Sequence, residues 1–175
     1  MNDQNAVIER NKKLIAKYPW LWPVDWFALQ PIPKENFDYT FTALDDIPEG
    51  WKKGLGEQMC EELQAVLKKH NCVELFRIIQ IKEKYGGLRL YYSPLPEQCN
   101  REIRKVIAKY EDISEHTCCE CGAPAEYMSK GWICPYCKSC AESETERRGV
   151  NPNLSRHVTI DDFFYPIKKG ASEEK

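Results

Sequence analysis

Hydrophobic positions recur at helical spacing in three stretches of the chain. Between residues 5 and 18, Val7, Ile8, Leu14 and Ile15 lie on or near one face, with Arg10, Lys12 and Lys13 outward. This helix stops at Tyr18-Pro19, because the residue before a proline disfavours the α region. From about Leu55 to His70, the residues Leu55, Met59, Leu63, Val66 and Leu67 form a buried stripe, with Asn71 as the C-terminal stop. Cys60 lies beside that stripe and reads as a small core residue. From about Pro96 to Ser114, Cys99, Ile103, Val106, Ile107 and Tyr110 point inward, while Arg101, Arg104, Lys105 and Lys109 fall mostly outward.

Between the second and third helices the period changes from 3.6 to 2. Leu75–Ile81 and Leu88–Tyr92 are rich in β-branched and aromatic residues and flank Gly86-Gly87, which predicts a hairpin. A turn centred on the two glycines places Tyr85 opposite Leu88, Glu83 opposite Leu90 and Ile81 opposite Tyr92. One face then carries Ile81, Glu83, Tyr85, Leu88, Leu90 and Tyr92. The other carries Gln80, Lys82, Lys84, Arg89 and Tyr91, a basic surface with an aromatic that suits phosphate contact. Glu83 stands among apolar neighbours, so it must either find a partner or shift its pKa.

The remaining segments are less regular. YPWLWPVDWFALQPIP holds four prolines and three tryptophans in sixteen residues, which forbids regular structure but supplies large apolar area. It reads as a loop clamped onto the core, with a stacking platform for bases or sugars as the other reading. Residues 38–54 read as a short strand and a turn, with Asp46 and Pro48 opening the next helix. Asp45, Asp46 and Glu49 also admit a Mg²⁺ reading. Ala141–Arg148 predicts a short helix ending at Gly149, 158–167 one further element, and 168–175 a disordered tail. The fold class expected is α+β: helices packed on a small antiparallel sheet, with a zinc module appended. The expected divisions are 1–115 for the α+β domain, 116–150 for the zinc module and 151–175 for a C-terminal extension.

Charge is unevenly placed. The net of −2 divides into −4 over residues 1–65, +6 over 66–110 and −4 over 111–175. A basic centre between acidic ends either attracts a polyanion or pairs with its own ends. The N-terminus shows no apolar signal region and no run approaches the roughly 18 apolar residues of a membrane span. The expectation is a cytoplasmic protein with reduced thiols and no membrane partner.

Nine cysteines in such a chain point to metal rather than disulfides, and six of them fall within 23 residues, TCCECGAPAEYMSKGWICPYCKSC. Two C-x-x-C pairs joined by a loop let four sulfurs converge on one tetrahedral ion. Cys118 and Cys121 form the first pair, with Gly122 allowing the sharp turn of a zinc knuckle. The second pair is Cys137 with Cys140 or Cys134 with Cys137. The former is preferred because it opens the helix predicted from Ala141, where the helix N-terminus favours thiolate charge. With Gly131-Trp132-Ile133 as the preceding hairpin strand, this order is a treble clef; the alternative is a zinc ribbon. The surplus of sulfur predicts one structural Zn²⁺ per chain held by Cys118, Cys121, Cys137 and Cys140, with His116 in a surface or capping role.

KYPWLWP, LDDIPEGWKKGLGEQMCEEL, QIKEKYGGLRLYY and CxxCG…GW…CxxC occur here in that order. In this the chain resembles a family of small uncharacterised proteins of bacteria and their phages, over roughly Ile8 to Cys140, with KEKYGGLR the most specific part. The resemblance implies no established activity or catalytic residue. It supports the two C-x-x-C pairs preferred above, and a phage origin implies an accessory or host-antagonist role.

No G-x-S-x-G, phosphate loop or H-E-x-x-H occurs, and three histidines leave little scope for acid–base work. The first functional reading is therefore a non-enzymatic zinc-stabilised binding module. Its partner is a protein or a nucleic acid, engaged through Lys82, Lys84, Arg89 and Tyr91. The alternatives are a metal-dependent nuclease or hydrolase built on Glu83 with Asp45 and Asp46, and an inhibitor of a host protein.

Overall fold

A computed structural model describes residues 3–25, 27–28, 30–149 and 158–167; the tail 168–175 and Trp26 lie outside the described residues. Helix α1 spans Asp3–Lys17. The proline-rich segment follows, with a 3₁₀ turn at Pro19–Leu21 and a two-residue ladder between β1 (Val24–Asp25) and β2 (Gln30–Pro31). Trp20 and Trp22 clamp it onto the core as expected. Trp20 is fully buried, donates to Gln64 Oε1 at 2.7 Å and meets Phe76 edge-on at 5.3 Å; Trp22 donates to the Ile32 carbonyl at 2.8 Å.

The strand expected within 38–54 does not form. Thr42 instead caps a 3₁₀ helix at Ala43–Asp46, and Asp45 closes the capping box by accepting the Thr42 N–H at 2.6 Å. A polar side chain three residues past a Thr satisfies the free N–H groups locally, which ends extended pairing. The helix expected from about Leu55 begins earlier, directly after Pro48, with Pro48 rather than Asp46 at the cap position. It opens as α2 (Glu49–Trp51), passes through a π-helical turn at Lys52–Gly56, and continues as α3 (Glu57–Lys69). It stops where Asn71 turns left-handed at φ 54°.

The hairpin consists of β3 (Ile78–Lys84) and β4 (Gly87–Tyr92). Its turn is Tyr85-Gly86, both at positive φ, rather than Gly86-Gly87. Glu83 therefore faces Leu88 and Ile81 faces Leu90, each two residues from the expected partner. The shift is even, so the strand residues keep their predicted faces, while Tyr85 leaves its face for the turn. Ile81, Leu88 and Leu90 are buried, and Leu88 N–H donates to Ser114 Oγ at 2.8 Å, fastening the hairpin to α4 (Glu97–Glu115). Met59, Leu63 and Leu67 of α3 and Ile103, Ile107 and Tyr110 of α4 complete the same core. Burial pushes the Cys60 and Cys99 thiols up to about 12, as expected of core cysteines.

After α4 come β5 (Tyr127–Ser129), β6 (Pro135–Tyr136) and α5 (Lys138–Gly149). The element expected over 158–167 is a short turn of helix, α6 (Ile160–Phe163), followed by β7 (Phe164–Pro166). Strand β5 lies between β6 and β7 and pairs antiparallel with each. The architecture is thus helices with small antiparallel sheets and a four-cysteine cluster. Among the described residues, no helix is long and apolar enough to cross a membrane.

Candidate metal centre

The backbone reverses sharply at the first cysteine pair. Cys118 N–H donates to the Ala123 carbonyl at 2.7 Å, Gly122 N–H donates to the Cys118 carbonyl at 3.0 Å, and Gly122 sits at φ +83°. A glycine meets that conformation without the Cβ penalty. The second pair comes from the start of α5: Cys137 precedes the helix, Cys140 lies in its first turn, and Ala141 N–H donates back to the Cys137 carbonyl at 3.0 Å. The strand leading there is Pro135–Tyr136, not Gly131–Ile133. Gly131 at φ +84°, with the Ser129 hydroxyl bonded to the Trp132 carbonyl and the Cys134 N–H, turns that segment into the connecting loop.

The sulfurs of Cys118, Cys121, Cys137 and Cys140 all lie within 4.8 Å of one another, and Cys121 and Cys137 approach to 3.6 Å. Tetrahedral zinc with 2.3 Å bonds to sulfur has an S···S edge of about 3.8 Å, so the cluster is of the right size. Its protonation chemistry also suits a cation. Burial pushes the Cys118 thiol up, against the backbone N–H groups of Cys137, Cys121 and Glu120. At Cys137 burial again opposes charge, but the Ser139 hydroxyl at 3.3 Å and the Cys140 N–H outweigh it and bring the thiol down to about 7. Cys140 is pushed up by burial and by its hydrogen bonds to Cys137 and Cys121. Crowded thiols share protons until a divalent ion replaces them, and these four residues can hold one metal ion. Cys121 is exposed, giving the ion a path in.

Cys134 and Cys119 lie elsewhere. Both are buried in the hydrophobic core, and their mutual hydrogen bond, together with burial, pushes the Cys119 thiol far up. His116 ends α4, its N–H donating to the Ile113 carbonyl. Asp45 is committed to its cap and to Lys52 at 3.0 Å, and Glu83 Oε1 accepts the Gly86 N–H at 2.7 Å across the hairpin turn. Among the described residues, Glu83, Asp45 and Asp46 form no metal-sized cluster; the four cysteines do.

One feature of the knuckle has no counterpart in the sequence reading. Gly50 N–H donates to the Cys119 carbonyl at 2.8 Å, and Trp51 Nε1 donates to the Thr117 carbonyl at 2.8 Å. A Cβ on Gly50 would fall 2.3 Å from the Cys118 carbonyl oxygen, and one on Gly54 would fall 2.8 Å from the Gly122 carbonyl oxygen. The knuckle thus lies backbone to backbone on two glycines one helical turn apart. The signal was available as G-x-x-x-G in EGWKKG, where close approach is one reason for glycine within a helix.

The basic face of the hairpin remains open. Lys82 pairs across the strands with Arg89, and Lys82 Nζ lies 5.7 Å from the Tyr91 ring. Lys109 and Lys69, by contrast, are paired with Glu62 and Glu102. The hairpin tip meets the four-cysteine module: a Cβ on Gly86 would fall 3.1 Å from Met128 Sδ and 3.2 Å from Ile133 Cγ2. Comparison with protein-family models, with curated proteins and with solved structures finds no match.

Proposed function

We propose that this chain is a zinc-stabilised, non-enzymatic binding module, in which a structural Zn²⁺ holds a treble clef against the KEKYGG hairpin. The observation that carries this is the convergence of four sulfurs from a knuckle and a helix start. Four thiolates leave no open position for a water, so the ion serves as scaffold. Folding free energy then comes from the metal directly, and the 130–134 loop between β5 and β6 is held in place beside the hairpin tip. The partner engages that composite surface, with Lys82, Lys84, Arg89 and Tyr91 on its basic side.

Metal analysis of natively purified protein tests this reading. One zinc per chain is expected, with stoichiometry lost in Cys121→Ser. Native protein without zinc, folded and stable to chelators, would overturn it.

A further inference from the structure

The hairpin tip and the 130–134 loop enclose a groove of about 400 Å³, lined by Lys82, Lys84, Tyr85, Trp132 and Ile133, with Glu83 and Gly131 between them. That volume lies in the range of roughly 300–1,000 Å³ usual for ligand sites. Two large aromatic side chains border it and face solvent, Trp132 at 78% exposure and Tyr85 at 76%. Tyr85 holds φ at 55°, a conformation that costs a non-glycine residue about 1 kcal/mol or more. Its exposed ring regains little of that cost by packing. Lys84 Nζ lies 5.5 Å from the Tyr85 ring. Among the described residues, none of Lys82, Lys84 and Arg89 forms an ion pair with a carboxylate. The one carboxylate in the groove, Glu83, has an oxygen turned to the Gly86 N–H.

Resting on the zinc-module reading above, we infer that this groove binds single-stranded nucleic acid. Bases stack on Trp132 and Tyr85, and phosphates lie along Lys82 and Lys84 and continue beyond the groove to Arg89, the cross-strand neighbour of Lys82. Exposed rings interleaved with unneutralised cations match what an unpaired strand offers, a planar face and a phosphate at each step. An acidic peptide would satisfy the cations but has no planar group at each residue for the two rings. The chain's net negative charge does not oppose this, since residues 66–110 carry +6 and Debye screening confines the relevant field to about 10 Å.

The test is titration of the zinc-loaded full chain with labelled oligothymidylate and oligouridylate of about a dozen nucleotides, read by anisotropy. Saturable binding to either is expected. Three phosphate contacts on a single strand give a log–log salt slope of about −2, a loss of about 20-fold between roughly 50 and 200 mM salt. Trp132→Ala is expected to weaken binding by about 5- to 150-fold and Trp132→Phe to restore most of it. Lys84→Glu with Arg89→Glu should abolish it, and an abasic oligomer of equal length should bind more weakly. All these positions are surface-exposed or partly so, and zinc content reports whether each variant is folded. No saturable binding by zinc-loaded protein at about 50 mM salt would overturn the proposal. So would equal affinity for the abasic strand, or displacement by polyglutamate at matched charge. A zinc-free sample that still binds would sink the zinc reading alone and support the ligand assignment.

Discussion

Single side chains decide how the hairpin tip and the knuckle are made. Tyr85 occupies the first position of a turn in which both central residues have positive φ, where asparagine or glycine is favoured. Tyr85→Asn is therefore expected to stabilise the fold by about 0.5–1 kcal/mol, measured by urea unfolding, while weakening oligonucleotide binding. Stability gained together with binding lost would identify Tyr85 as retained for its ring. Gly54→Ala is expected to act in the opposite sense. Its Cβ would press on the Gly122 carbonyl oxygen, a backbone atom that cannot swing away, and the predicted cost is about 1–3 kcal/mol in unfolding experiments. Ala ordinarily stabilises a helix interior relative to Gly, so an unchanged or raised stability would disprove the close approach.

At the level of elements, the entry to the long helix depends on a charge. Burial works against ionised Asp45, yet the Thr42 N–H and Lys52 outweigh it and hold the carboxyl below its usual range. A folded-state pKa below the unfolded one gives stability that is present above about pH 4 and lost as pH falls through the folded value. Asp45→Asn is expected to cost about 1 kcal/mol near neutrality, and the gap between wild type and variant should close below about pH 4. A gap that persists at low pH would assign the effect to shape instead of charge. The four-cysteine module has its own support, because β7 pairs with β5 and the Phe164 ring meets Tyr136 at 5.1 Å.

For the whole molecule, the glycine contact changes what metal loss means. With the knuckle hydrogen-bonded to Gly50 and Trp51, removing the ion should not confine disorder to residues 116–150. Chelation is expected to raise hydrogen exchange at the Gly50 amide along with that of the knuckle, and to lower Tm in one cooperative step. Two separate transitions, with the Gly50 amide still protected, would show the module to be energetically independent.

Much of this was legible in the residues themselves. The helical stripes, the two faces of the hairpin and the two C-x-x-C pairs follow from local period and spacing, because apolar burial and ligand geometry act over a few residues. Other features were open to sequence reading but went to the wrong competitor. Thr42 and Asp45 spell a capping box inside a segment that also reads as a strand, and Tyr85-Gly86 forms the turn where a glycine pair lay one residue on. Tertiary structure alone decided the rest. The choice between Cys134 and Cys140, which spacing left as a preference, follows from Cys134 being drawn into the core beside Cys119. The groove between Tyr85 and Trp132 joins residues 47 positions apart, and the knuckle rests on glycines about 70 positions earlier. Contacts of that kind are set by how helices and sheets pack, and no local pattern encodes them.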